Sequence, residues 1–139
     1  MIPAVPAPPR VPLPYFESPR PQAGFPSPAM DYIERPLDLN DLLVNNPPAT
    51  FYVRAQGDSM EGARIFDGDL LVVDRSIDPA PGRIVVAAVD GELLVKRLGR
   101  SLNRPALLPD NPARPEYRPV LLDADSVVWG VVTGVVRRL

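Results

Sequence analysis

Ser59 follows Gly57 and Asp58 at the end of an apolar run, in "FYVRAQGDSMEGARIFDGDLLVVD". A serine hydroxyl acts as a nucleophile when a neighbouring base takes its proton. The chain has no histidine and no cysteine. That excludes the Ser-His-Asp triad, cysteine nucleophiles, zinc deaminase sites and nearly every structural zinc site. Lysine, tyrosine and the carboxylates remain as acids and bases. Lys96, in "GELLVKRLG", is the candidate proton acceptor. Strand alternation places it on one face with Leu94 and Leu98, while Val95 and Arg97 point the other way. Apolar neighbours penalise the ammonium and lower the lysine pKa, so a neutral amine can take the Ser59 proton and later return it to a leaving amine.

Each residue also has an ordinary reading. A lysine on a strand fits a surface position whose stem covers apolar neighbours. A serine after Gly-Asp fits a turn or cap. Gly57 favours the nucleophile reading, because it lets the backbone turn sharply and can aim the successive N–H groups of Asp58 and Ser59 at a developing oxyanion. Asp67, Asp69 and Asp74 raise the question of a carboxylate metal site. Placed between two apolar runs, Asp67-Gly68-Asp69 reads better as a turn, and no metal or other cofactor is assigned.

The elements that must position Ser59 and Lys96 are short and β-rich. "TFYVRAQ" and "DLLVVDRS" read as strands on either side of the Asp67-Gly68 turn. "RIVVAAV" and "ELLVKRL" flank Asp90-Gly91, a two-residue hairpin signal whose residues tolerate the positive φ of a type I′ turn. "SVVWGVVTGVVRR" closes the chain with β-branched residues and two glycines. The expected fold class is mainly β, an antiparallel body with little helix and no internal repeat. Upstream, half of the 20 prolines fall in the first 28 residues. Proline removes backbone donors and disfavours helix in the residue before it, so residues 1–30 read as an extended, polyproline-like arm and 31–139 as the folded domain. "DYIERPLDLNDLLVNNPPAT" offers a short amphipathic segment, with Leu37, Leu39, Leu42 and Leu43 expected near a buried surface and Pro47-Pro48 ending it.

A chain of 139 residues fits one domain with a modest core and a tail. Its net charge of −2 argues against gripping nucleic acid through charge. No apolar run approaches the ~18–20 residues that span a bilayer, and "MIPAVPAPPR" lacks a signal-peptide pattern. A cytoplasmic location is the expectation, and the absence of cysteine agrees with it.

Taken together, "GDSM", "DGDLLVVD" and "VVAAVDGELLVKRL" resemble the LexA/UmuD family of self-cleaving serine peptidases, which use a Ser-Lys dyad. The likeness extends upstream through "GFPSPAMDY" and "LDLNDLL" and covers about residues 22–139. It implies a curled β-rich peptidase domain, Ser59 as nucleophile and Lys96 as general base. It places Ala23-Gly24 at the self-cleavage site, with an arm released and a product beginning at Gly24. About 35 residues separate Gly24 from Ser59 and span on the order of 100 Å when extended, so delivery in cis or to a neighbouring subunit is sterically open. The resemblance further implies a homodimer, activation by a RecA–single-stranded DNA filament, and a processed form that serves a Y-family polymerase subunit, UmuC, in translesion synthesis. Relatives of the repressor type add a helix-turn-helix, which this sequence does not suggest. Two other readings stay open: a binding module for a polymerase or RecA filament with an idle dyad, and a signal peptidase, for which no membrane anchor is apparent.

Overall fold

The computed structural model describes residues 9–18 and 33–139. These fall into two units, divided between Leu43 and Val44. In the first unit, β1 (Leu13–Ser18) pairs antiparallel with β2 (Ile33–Leu37), and α1 (Leu39–Leu43) follows. Part of the stretch read as an arm is therefore a paired ribbon. Proline survives there because a two-stranded ribbon leaves an open edge on each strand, and Pro14 sits opposite Pro36. The Asp38 carboxylate accepts from the N–H groups of Val11 and Asn40, both at 2.9 Å, and is 4% exposed. These contacts hold its pKa below the ordinary carboxylate value. The amphipathic segment forms, but Leu39 and Leu42 are exposed rather than buried. Helix α1 also stops at Leu43, short of the prolines.

The second unit is a seven-stranded antiparallel sheet. Its strands are β3 (Thr50–Arg54), β4 (Leu70–Asp74), β5 (Ile84–Val89), β6 (Glu92–Ser101), β7 (Arg104–Leu108), β8 (Val120–Leu121) and β9 (Val127–Val136). In space they run β3-β4-β9-β5-β6-β7-β8. The mainly-β, antiparallel expectation is met. The Asp90-Gly91 hairpin forms as read, with φ of 50° and 78° and Val89 opposite Glu92. Strands β7 and β8 add to the five runs that the sequence marks as strands.

Strand β5 is apolar without alternation because both of its faces are covered. Val86 packs with Ala55, Met60, Ile65, Leu71 and Val73 in one cluster. Val85, Ala87 and Val89 pack with Leu107 and Val131 in another. Two irregularities in β9 bend the sheet between these clusters. One falls opposite Val72 and Val73, the other opposite Val86 and Ala87. Each inserts an extra residue, Thr133 and Trp129, which locally increases twist. Gly130 is needed between them, since a Cβ there would sit 2.8 Å from Val73 Cγ1 and 3.0 Å from the Asp74 carbonyl oxygen. Among the described residues, no helix is long and apolar enough to cross a membrane.

Candidate active site

The Ser59 turn begins where β3 leaves the sheet. Ala55 donates to the Asp69 carbonyl and accepts from the Gly68 N–H, each at 2.8 Å. Gly57 then turns with φ of 86°, a left-handed value that glycine adopts without steric cost. Its N–H donates to Asp67 Oδ1 at 2.8 Å. Met60, only 4% exposed, anchors the turn into the core beside Ile65. A 3₁₀ turn follows at Glu61–Ala63, capped by Arg64 in the left-handed region. Between the glycine and the buried methionine, Ser59 is held at a half-buried position.

Lys96 lies on β6 opposite Val85. Its Nζ is 2.6 Å from Ser59 Oγ, across 37 residues of sequence. Both residues line a groove of about 200 Å³ with Val53, Val86, Leu94 and Val95. Burial among these apolar side chains lowers the lysine pKa, and the Asp58 carboxylate opposes that shift in part. Such a pair has the arrangement that serine activation requires: a hydroxyl within hydrogen-bonding reach of an amine whose pKa burial lowers. Among the described residues, the N–H groups of Asp58 and Ser59 donate no hydrogen bond within the protein.

A neighbouring loop, absent from the sequence reading, stitches this turn in place. Asp110 N–H donates to the Ser59 carbonyl at 2.8 Å, and Gly62 N–H donates to the Asp110 carbonyl at 2.7 Å. Asn111 Nδ2 donates to the Asp58 carbonyl at 2.7 Å. The Asp58 carboxylate accepts from Arg114 Nη1 at 3.0 Å through one oxygen and from the Tyr117 hydroxyl through the other. The hydrogen bond to Asp58 raises the Tyr117 pKa. Nothing periodic in "DNPARPEY" announces this role. A different signal was available for Lys96: it is the single lysine among 15 basic side chains.

The three aspartates considered as metal ligands are each occupied. Asp67 holds Gly57, Asp69 accepts from the Phe66 N–H and from Arg137, and Asp74 accepts from Ser76. Among the described residues, no cluster of acidic side chains, histidine or cysteine is arranged to hold a metal. Ala23 and Gly24 lie outside the described residues.

Comparison with known proteins places the chain in a family. Residues 14–133 match the family model described as Peptidase S24-like, a span that includes both Ser59 and Lys96. Protein ImpA of Escherichia coli is 51% identical over 117 residues, covering 84% of this chain and 79% of that protein. Protein MucA of Escherichia coli is 49% identical over 112 residues, 80% of this chain and 75% of that one. LexA repressor 1 of Xanthomonas campestris pv. campestris is 42% identical over 118 residues, which cover 84% of this chain but 57% of the repressor. A match over most of the chain to the family model, and relatives this similar on both the ImpA/MucA and the LexA sides, show that the chain belongs to the S24-like serine peptidases of the LexA/UmuD type.

Proposed function

We propose that this protein is a self-cleaving serine peptidase of the DNA-damage response that cuts its own chain between Ala23 and Gly24. The observation that carries the reading is the 2.6 Å contact between Ser59 Oγ and the chain's single lysine, in a groove that disfavours the ammonium. In the first step Ser59 Oγ attacks the Ala23 carbonyl carbon, and its proton passes to Lys96 Nζ. The N–H groups of Asp58 and Ser59 receive the negative charge that forms on the carbonyl oxygen. Collapse breaks the bond to the Gly24 nitrogen, which takes the proton from Lys96 and leaves. Water, deprotonated by the neutral amine, then attacks the Ala23–Ser59 ester and frees the serine. A small residue before the cut suits a shallow groove, and glycine after it allows close backbone approach.

Relatedness to ImpA and MucA supports a role of the processed chain, as a homodimer, beside a Y-family polymerase subunit of the UmuC kind. Activation by a RecA–single-stranded DNA filament and a cytoplasmic location belong to the same proposal. Incubating the purified chain at alkaline pH, and separately with an activated RecA filament, tests it. The expected product begins at Gly24, and Ser59→Ala and Lys96→Ala each abolish it. A cut elsewhere, or one indifferent to either substitution, overturns the chemistry. An intact wild type that still dimerises and binds its polymerase would identify a binding module with an idle dyad instead.

A further inference from the structure

We propose that Arg114 and Tyr117 are positioning residues for the Ser59–Lys96 pair: by engaging both oxygens of Asp58 they fix the turn that carries the serine and withhold that carboxylate as an ion-pair partner for the lysine. This rests on the peptidase reading above and assigns to the loop after β7 a role in it. Three independent groups of contacts support it. The loop grips the main chain on both sides of the serine, through Asn111 on the Asp58 carbonyl and Asp110 on the Ser59 carbonyl. It then grips the Asp58 side chain twice more, through Arg114 and Tyr117. The two gripping groups are themselves fixed to one another, the Arg114 guanidinium lying 4.9 Å from the Tyr117 ring centroid and pairing with Glu116 at 2.5 Å.

The chemistry explains why such a grip is needed. A free carboxylate beside Lys96 would pair with the ammonium and hold the proton that catalysis must release. Asp58 is the charged neighbour that raises the Lys96 pKa, against the lowering caused by burial. Among the described residues its ion-pair partner is Arg114 and not Lys96. Among the described residues, two further charged groups, Arg54 and Arg97, have partners of their own. Arg54, which lines the same groove from β3, donates to the Gly68 carbonyl, and Arg97 pairs with Asp110 at 3.0 Å. Asp58 is therefore the charge whose placement sets how easily Lys96 becomes neutral, and the loop controls that placement.

Because Lys96 is the only lysine of the 139 residues, lysine labelled with 13C at Cε gives one side-chain titration by NMR in the intact chain. The titration is run in a Ser59→Ala background, so it does not depend on the chain cutting itself. Arg114→Gln and Tyr117→Phe are each expected to move the Lys96 midpoint upwards by roughly 0.5–1 pH unit, and Asp58→Asn to move it downwards. The double variant Asp58→Asn/Arg114→Gln should titrate like Asp58→Asn alone. In chains that retain Ser59, the pH profile of cleavage should shift in the same directions. Unmoved midpoints in Arg114→Gln and Tyr117→Phe, or an Arg114→Gln effect that persists without the Asp58 charge, overturn the proposal. Should Arg114→Gln fail to fold, Tyr117→Phe, which removes one hydroxyl, decides alone. The expected titrations beside an uncleaved wild type sink the peptidase reading; cleavage beside flat titrations sinks this one.

Discussion

Arg137 clasps Asp69 through two parallel hydrogen bonds, Nε to Oδ1 and Nη2 to Oδ2, both at 2.7 Å. The arginine follows the last strand, and the aspartate, 2% exposed, ends the Asp67-Gly68-Asp69 turn that holds Gly57 and Ala55. A bidentate fork of this kind fixes geometry as well as charge. The hydrogen bonds from Arg137 hold the Asp69 pKa below its ordinary value. A carboxylate with a depressed folded pKa adds stability above its unfolded pKa and loses it as pH falls through the folded one. Arg137→Gln is therefore expected to lower the urea midpoint at neutral pH and to narrow the gap to wild type as the solution is acidified below about pH 4. Urea melts at several pH values check this, and a gap that widens on acidification would contradict it.

Lys96 shows the same sign of linkage from the opposite cause, because folding favours the charged form of Asp69 and disfavours that of Lys96. Its folded pKa is lowered by burial, so the unfolded chain binds more protons than the folded one between that value and 10.5. Stability attributable to Lys96 therefore rises with pH across that window, and below it the buried amine costs stability. Lys96→Met, which keeps the stem and removes the charge, is expected to be more stable than wild type at neutral pH and to show no cleavage. The difference between the two proteins should shrink as the pH climbs towards 10.5. Equal stability of the two across the whole range would mean that the amine is not desolvated.

The parts of the fold that could be read in the sequence are those with local chemistry. Asp90-Gly91 announces its turn because both residues accept positive φ, and the runs around it are long enough to be strands. The lack of histidine left Lys96 among few candidate bases, but it was the family resemblance that paired it with Ser59, and their contact at 2.6 Å is visible only in the fold. What escaped lacks a local signal. The β6–β7 hairpin turns on Leu102 and Asn103, at φ of 54° and 59°, and no glycine marks it. Strand β7 carries Pro105, which argues against a strand until its place near the strand's start is known. The Asp58 clamp is assembled from residues more than 50 positions away, so only the folded chain shows it. Leu39 and Leu42 were misplaced because amphipathic spacing marks a face without saying what covers it.

The unmarked hairpin yields a test of its own. Leu102 is 82% exposed, so its side chain contributes little packing, while its left-handed backbone is costly for a residue with a Cβ. Leu102→Gly is expected to stabilise the protein by about 1 kcal/mol, the relief of strain outweighing the added freedom of the unfolded chain. Thermal melts of the two proteins decide it. A loss of stability would show that the exposed leucine is held by packing in solution.

Two glycines flank the nucleophile for different physical reasons, and substituting each separates them. A Cβ at Gly57 would meet nothing within 4 Å, so Gly57→Ala pays only for its φ of 86°. That penalty is about 1–2 kcal/mol, or a shift of the turn to relieve it. A Cβ at Gly62 would lie 2.2 Å from Asp110 Oδ1 and 2.8 Å from the Asp110 carbonyl oxygen. Gly62→Ala must therefore push the loop away, breaking the 2.7 Å bond from Gly62 N–H to Asp110 and loosening the adjacent bond to the Ser59 carbonyl. Overpacking of this kind costs about 1–3 kcal/mol. Both variants should cleave more slowly, but only Gly62→Ala should also raise the Lys96 midpoint, because only it displaces the loop that occupies Asp58. The same single-lysine titration distinguishes them, and an identical midpoint in the two variants would mean that the loop fixes the serine without governing the base.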